Sequence, residues 1–326
     1  MWRYLTKNTF KTLYVIAIIF TVSSCTHTPE KKPAFSIGIA TWPGFAPGYI
    51  GIKKGFFKDL DVKFYIIDDF NARQAAYVSG KTQATIGTID SYAFDIAHGI
   101  SGKLALITDQ SNGADGIIVK PSIQAVAQLK SKKIAFTRGS PSHFFLLTLL
   151  KENGLTMNDI TSVQVDDPGK AGEAFLSGNV DGAVTWEPNI TQIVQSGKGK
   201  ILVDTKSKPG ILVDAIEFND GVLANRKGDI QVFIAGWLKS VEYIKSHPDE
   251  SYKIMADAMK IPSKEFPNMA SEIVYADKAL NQNWLLADSG RKAKQLFESA
   301  SEIWYRQGLI NKKVSGSGLI IGDFIK

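Results

Sequence analysis

The stretch Ala76-Tyr77-Val78-Ser79-Gly80-Lys81-Thr82-Gln83-Ala84-Thr85-Ile86-Gly87-Thr88 returns in pattern 98 residues later. There it reads Ala174-Phe175-Leu176-Ser177-Gly178-Asn179-Val180-Asp181-Gly182-Ala183-Val184-Thr185-Trp186. Each copy reads as a helix end, a glycine stop and a short strand. The flanks keep nearly the same offset. Lys54-Gly55-Phe56 matches Asn153-Gly154-Leu155. Strand Val62 to Ile67 with Asp68-Asp69 matches Val163 to Val165 with Asp166-Asp167. Strand Phe35 to Thr41 matches Lys133 to Thr137. Each half is thus strand, loop, helix, strand, helix, strand, which predicts an α/β protein of two similar parallel-sheet lobes.

Two such lobes make a cleft, and in open α/β sheets ligands bind beyond the carboxyl ends of the strands. That rule selects the loops Trp42-Pro43-Gly44-Phe45, Asp68-Asp69 and Thr88-Ile89-Asp90-Ser91 in the first lobe. In the second it selects Arg138-Gly139-Ser140-Pro141-Ser142-His143, Asp166-Asp167 and Trp186-Glu187-Pro188. Gly139 and Ser140 open a helix whose free N–H groups suit an accepting or anionic group; alternatively Ser140 or Ser142 only caps that helix. Trp42, Phe45, Tyr92 and Trp186 offer faces for a ring, methyl groups or a cation, whereas Trp237 and Trp304 fall on helical runs and read as core. Asp69, Asp90, Asp115, Glu187 and Asp214 lie at or near strand ends. Several carboxylates disfavour a purely anionic ligand and suit an amine, amidine or aminopyrimidine N–H donor. For Asp69 and Asp90, helix capping is the competing role. The expected ligand-binding set is therefore Trp42, Phe45, Asp69, Asp90, Asp115, Gly139, Ser140, Ser142, His143, Trp186, Glu187 and Asp214. A structural role competes at His143.

The chain's one cysteine, Cys25, ends the run Val22-Ser23-Ser24-Cys25. Arg3, Lys7 and Lys11 precede a short apolar stretch from Leu13 to Phe20, which is too short to span a bilayer. Basic start, apolar run and small-residue exit describe a secretory signal with Cys25 as the acylated residue of a lipoprotein. The expected organisation is a signal peptide over 1–24, a tether over 25–33, a first lobe from 34–120 and 222–326, and a second lobe over 121–221. The chain has 38 basic and 32 acidic residues; without the three signal cations the balance is 35 against 32, too mild for nucleic acid. No disulfide, cysteine-ligated metal or catalytic cysteine is available after Cys25. No metal-ligand spacing, phosphate loop or serine-hydrolase elbow occurs, so catalytic residues, metal and cofactor are all expected to be absent. Long helical runs over Ile230 to Ser246 and Arg291 to Gln307 complete the first lobe, with Pro248 restarting a helix between them.

Trp42-Pro43-Gly44 followed by Tyr49-Ile50-Gly51-Ile52-Lys53-Lys54-Gly55-Phe56-Phe57 resembles the opening of the solute-binding lipoproteins of ABC importers for nitrate, taurine, alkanesulfonates and thiamine-precursor pyrimidines. Leu129-Lys130-Ser131-Lys132-Lys133-Ile134-Ala135, Gly139-Ser140-Pro141-Ser142-His143, Asp181 to Pro188 and Tyr243 to Glu250 fit the same family. The resemblance spans roughly residues 35 to 310. It implies a periplasmic-binding-protein-like type II fold that closes on a small organic molecule. It also implies a permease with a cytoplasmic ATPase as partner, an extracytoplasmic place on the membrane through the lipid anchor, and a monomer. A tethered sensor reporting to a membrane partner is the alternative role. The family also resembles a pyrimidine synthase of the thiamine pathway; that enzyme carries a cysteine cluster, which this chain lacks, so no enzyme is expected. On this reading Trp186→Ala and Glu187→Gln weaken binding and spare the fold.

Overall fold

The computed structural model describes residues 33–325; Cys25 and the expected signal and most of the tether lie outside the described residues. Eleven strands follow in chain order: β1 (Phe35–Ile39), β2 (Val62–Ile66), β3 (Ala84–Thr88), β4 (Lys103–Ser111), β5 (Asp115–Val119), β6 (Lys133–Thr137), β7 (Thr161–Val165), β8 (Gly182–Trp186), β9 (Lys200–Asp204), β10 (Val213–Phe218) and β11 (Ile273–Tyr275). They form a six-stranded sheet in the order β11-β4-β10-β3-β1-β2 and a five-stranded sheet in the order β7-β6-β8-β5-β9.

The internal repeat is real in three dimensions. β1 pairs in parallel with β2 and β3, and β6 pairs in parallel with β7 and β8. Asp69 caps the helix Phe70–Val78 by accepting from Ala72 N at 2.8 Å, and Asp167 caps Pro168–Leu176 by accepting from Lys170 N at 2.9 Å. Gly80 and Gly178 then leave those helices with φ of +74° and +77°, a conformation that costs a glycine nothing and an L side chain strain.

Beyond these parallel triplets the sheets are mixed, which corrects the all-parallel expectation. β10 lies antiparallel between β3 and β4, and β5 lies antiparallel between β8 and β9. Both strands enter their sheet from the other lobe, and so run against the strands already there. The sheet changes fall at residues 112–114 and 205–212, ahead of the expected boundaries at 120/121 and 221/222. An apolar strand such as Asp115-Gly116-Ile117-Ile118-Val119 has the same pattern in either sheet, so sequence alone does not say which one it joins. The edge strands β9 and β11, half exposed or three residues long, carry too little alternation to be read.

The helix Lys227–Ser246 covers the first sheet through an aromatic cluster. Phe233 stacks on Phe57 at 5.2 Å, and lies 5.5 Å from Phe35 and 5.8 Å from Trp237. On the other face the helix Arg291–Arg306 packs along Ile89–Ala97 through Trp304 and Phe94, 5.6 Å apart. The same Trp304 reaches the second lobe at Phe144, 5.7 Å away. Phe233 and Trp304 are fully buried. Truncating Phe233→Ala removes the centre of the first cluster and should destabilise the protein by about 3–5 kcal/mol. The check is a urea titration, in which the midpoint should drop with little change in the slope.

Candidate functional site

The cleft is built from strand ends. β1 runs into Trp42-Pro43-Gly44-Phe45, where the Trp42 Nε1 donates to Asp109 Oδ1 at 3.0 Å. Gly44 allows that approach: a Cβ there would sit 2.5 Å from the Asp109 carboxyl and 2.2 Å from Trp42 Nε1. From β8 across the gap, Trp186 Nε1 donates to the Thr41 carbonyl at 3.1 Å, and its ring meets Trp42 edge-on at 6.4 Å. Thr41 is itself fixed by Asp68, which accepts from its amide at 2.6 Å and its hydroxyl at 3.0 Å.

Behind Trp186 lies a cavity that is partly open to solvent. The first lobe supplies most of its wall, including Trp42, Phe45, Arg73, Asp95, Asp214 and Glu217; Asp115, Pro141 and Trp186 close it from the second. Buried carboxyls dominate its electrostatics. Burial pushes Asp115 up to about 7, helped by Asp109 and Asp90 nearby. Burial also lifts Asp109 to about 6 against the Trp42 donor, and fully buried Asp90 to about 7. Asp214 is raised well above the ordinary carboxylate range, first by burial and then by Asp109 and Asp115, so it holds a proton and donates it to Asp109. Burial likewise raises Asp95 and Glu217. Arg73 is the sole cation among the described residues lining the cavity, and its Nη1 is committed to the Ile67 carbonyl at 2.7 Å.

Of the residues expected from sequence, Trp42, Phe45, Asp115, Trp186 and Asp214 line this cavity together. The others are placed elsewhere. Asp69 is a helix cap. Asp90 sits within the first turn of Ile89–Ala97 and caps nothing. Among Gly139, Ser140, Ser142 and His143 none lines the cavity; only their neighbour Pro141 does. Ser140 Oγ donates to the Thr137 carbonyl at 2.7 Å, so neither it nor Ser142 caps the helix Pro141–Glu152. His143 stacks on Phe136 at 4.7 Å and against Trp304 at 5.5 Å, while burial and Arg138 hold it at about 4, hence neutral. It is a packing residue. Glu187, pushed up to about 7 by burial, accepts from the Thr191 amide at 3.1 Å and hydroxyl at 2.9 Å, and so holds the helix Asn189–Gln195 rather than facing the cavity.

Sequence reasoning missed Arg73, Gln74, Asp95 and Glu217. The available signal was a charge interrupting an apolar face. Arg73 shares its helix face with Phe70, Ala76 and Tyr77, all buried, and Glu217 lies between Ile216 and Phe218 in a wholly buried strand. Among the described residues no group of three or more His, Cys, Asp or Glu side chains is arranged to hold a metal ion.

Residues 42–251 match the family described as NMT1/THI5 like. A Bacillus subtilis (strain 168) protein named for binding aliphatic sulfonates is 26% identical, over 96% of this chain and 95% of its own length. The taurine-binding periplasmic protein of Escherichia coli (strain K12) is 27% identical over 40% of each chain. Among solved structures, the alkanesulfonate-binding protein SsuA from Xanthomonas axonopodis pv. citri, bound to MOPS, superposes with a TM-score of 0.74 at 18% identity, covering 89% of this chain and 98% of that one. The desulfurization enzyme DSZB shares the fold at a TM-score of 0.64 and 14% identity, over 89% of this chain and 97% of its own. These two structures bear on the fold, which is therefore that of periplasmic binding proteins and of at least one enzyme.

The raised carboxyls make stability depend on pH in a defined direction. Asp90, Asp109, Asp115 and Glu187 keep protons in the folded protein, up to about pH 6–7, that the unfolded chain releases near 4. Their contribution is complete below the unfolded values and is lost as pH rises through the folded ones. His143 works the opposite way below its ordinary 6.5, one imidazole against four carboxyls. The protein without ligand should therefore melt at a higher temperature at pH 5.5 than at pH 8. Scanning calorimetry across that window gives the answer, and a profile that rises with pH would mean these acids are ionised and solvated.

Proposed function

The chain belongs to the NMT1/THI5-like family, and on that premise we propose that it is the extracytoplasmic solute-binding component of an ABC-type importer. It captures a small organic molecule by lobe closure and hands it to a permease driven by a cytoplasmic ATPase. The relatives named for aliphatic sulfonates and taurine support a solute-binding role, and place sulfonates beside aminopyrimidines among the solutes to be tried. Cys25, outside the described residues, is the proposed lipid attachment, with the protein acting as a monomer at the membrane surface. Among the described residues no helix is long and apolar enough to cross a membrane.

One observation carries this reading: the cavity is walled by both lobes, and Trp186 bridges them through its hydrogen bond to Thr41. A solute touching both walls binds the closed form better than the open one and shifts the population toward it.

The experiment is a thermal-shift panel of taurine, alkanesulfonates, nitrate and aminopyrimidines, followed by titration of whichever solute stabilises the protein. A solute at 100 times its dissociation constant adds about 2.7 kcal/mol. Trp186→Ala should then weaken that solute by about 10- to 100-fold, the loss of roughly 1.4–3 kcal/mol of closed-state contacts, with unfolding in its absence little changed. Trp186→Phe keeps a ring but loses the Thr41 bond and should fall between. Unaltered affinity in Trp186→Ala would take closure over this cavity off the table.

A further inference from the structure

The cavity's charge is lopsided. Asp95, Asp115, Asp214 and Glu217 line it against one guanidinium. Arg73 is already engaged: it donates to Ile67, lies over the Phe70 ring at 5.6 Å, and faces Asp95 and Asp68. Two lining side-chain oxygens are left buried without a hydrogen bond: Gln74 Oε1, an amide acceptor, and Glu217 Oε1, part of a carboxyl whose protonated form burial favours until a cation ionises it. Gln74 is oriented by its Nε2, which donates to Asp95. Glu217 is only 5% exposed; the Tyr77 hydroxyl donates to the Ser101 carbonyl at 3.2 Å and, lying beside Glu217, draws its carboxyl down in part against the burial that raises it. Behind the wall, Asp90 adds a fully buried carboxyl. The Thr88 and Ser91 hydroxyls next to it share a 2.9 Å bond and draw the Asp90 carboxyl down in part against burial. An empty acceptor in a dry wall is a position for a donor brought by the ligand.

The mouth has the same sign. Asp68 and Asp167 line a notch beside Trp186, one from each lobe. Asp69 and Asp166 adjoin them, and Lys170 there is paired with Asp166 at 2.7 Å. Acids on both rims raise the local concentration of cations and repel anions on approach.

We propose that the solute is an organic cation: a protonated amine or amidine on a flat or apolar body. Its N–H donors meet the carboxyls of Asp115, Asp214 and Glu217, and its body lies among Trp42, Tyr92 and Trp186. This deepens the solute-binding reading and rests on it. A sulfonate head in the same place would meet one guanidinium, part of it bonded to Ile67, and four carboxyls that must keep their protons to receive it.

Protons report the sign of the ligand. Asp115, lifted to about 7, and Asp214, raised well above the ordinary carboxylate range by burial, favour their protonated forms without ligand at pH 6. Asp109 and Asp90 behind them, Asp95, Glu187 and Glu217 nearby, and Arg73 are the other charges in reach; Tyr77 and Tyr92 stay neutral, raised by burial. A cation binds the ionised acids and expels protons. An anion binds the protonated ones and takes protons up.

The test is calorimetric titration of the full chain with benzamidine and with benzenesulfonate, rings of fixed and opposite charge, at pH 6 and pH 8 in two buffers of different ionisation enthalpy. Benzamidine should bind about tenfold tighter at pH 8 per carboxyl that must ionise, with proton release. Benzenesulfonate should bind at least about tenfold more weakly at either pH. Asp115→Asn and, independently, Glu217→Gln should each weaken benzamidine and leave a folded protein, verified by melting. Benzenesulfonate or taurine binding tighter than benzamidine with proton uptake would overturn the cation and leave the solute-binding role standing. Benzamidine binding without pH dependence would overturn its placement on these acids. Silence from both rings and from taurine, with tryptophan fluorescence unmoved, would count against the cation and against solute binding in this cleft alike.

Discussion

Each sheet borrows a strand from beyond the hinge, and the rest of the molecule depends on that exchange. β10 completes the first sheet after the chain returns from the second lobe, and β5 opens the chain's path through the second sheet. The two connectors are tied where they pass. Thr205 Oγ1 accepts from Gly113 N at 2.7 Å and shares a 2.7 Å bond with Ser111 Oγ, all of it buried. Asp109 near the end of β4, Asp115 at the start of β5 and Asp214 near the start of β10 are therefore gathered at the seam by chain path. A rotation of one lobe about the connectors moves such points least. Trp186 stands directly opposite Asp115 in the β5–β8 ladder, so it lies beside the same seam and reaches from there across to the Thr41 carbonyl.

Gathering acids there is costly. Lifting a carboxyl from 3.8 to about 7, as at Asp90 and Asp115, corresponds to about 4 kcal/mol against the charged form above neutral pH. Arg73 holds down Asp95 in part, and among the described residues lining the cavity there is no lysine to do the same for the others. The surrounding fold absorbs this through apolar burial: the Phe233 cluster on one face of the first sheet, and the Trp304 contacts on the other, where His143 has become a neutral plate between Phe136 and Trp304. The neutral state of His143 and the protonated state of Asp214 have one cause, removal from water. They act in opposite directions on stability as pH changes.

What was legible in the sequence was whatever is encoded locally and twice. The glycines at 80 and 178 and the parallel triplets follow from turn chemistry and hydrophobic period, and are present; of the two roles weighed for Asp69 the structure shows the cap. Strand-end logic found Trp42, Phe45, Asp115, Trp186 and Asp214. It overreached at His143, Ser140 and Glu187, which stand at strand or helix ends but spend their polar atoms on their own backbone or neighbours. It could not see Arg73, Asp95 or Glu217. These sit inside regular elements, and which face a helix or strand turns toward a cavity depends on sheet order. Sheet order in turn depended on where β5 and β10 cross, the one feature whose pattern is the same in either lobe.

The comparison with relatives separates what a fold transmits from what a site decides. At 18% identity the alkanesulfonate-binding structure still superposes with a TM-score of 0.74 over 89% of this chain, because a fold is set by backbone pattern. The sign of the cavity is set by a handful of side chains, and these are free to differ without disturbing a sheet. A relative named for sulfonates therefore constrains how this protein closes more than what it closes on. The direct indicator of the ligand is what the empty cavity leaves unsatisfied. Here they are the Gln74 amide oxygen and the Glu217 carboxyl, with acids on both rims at the mouth. A pocket for an anion would be expected to leave donors waiting instead, because each buried group retained without a partner is a cost that only the missing ligand removes.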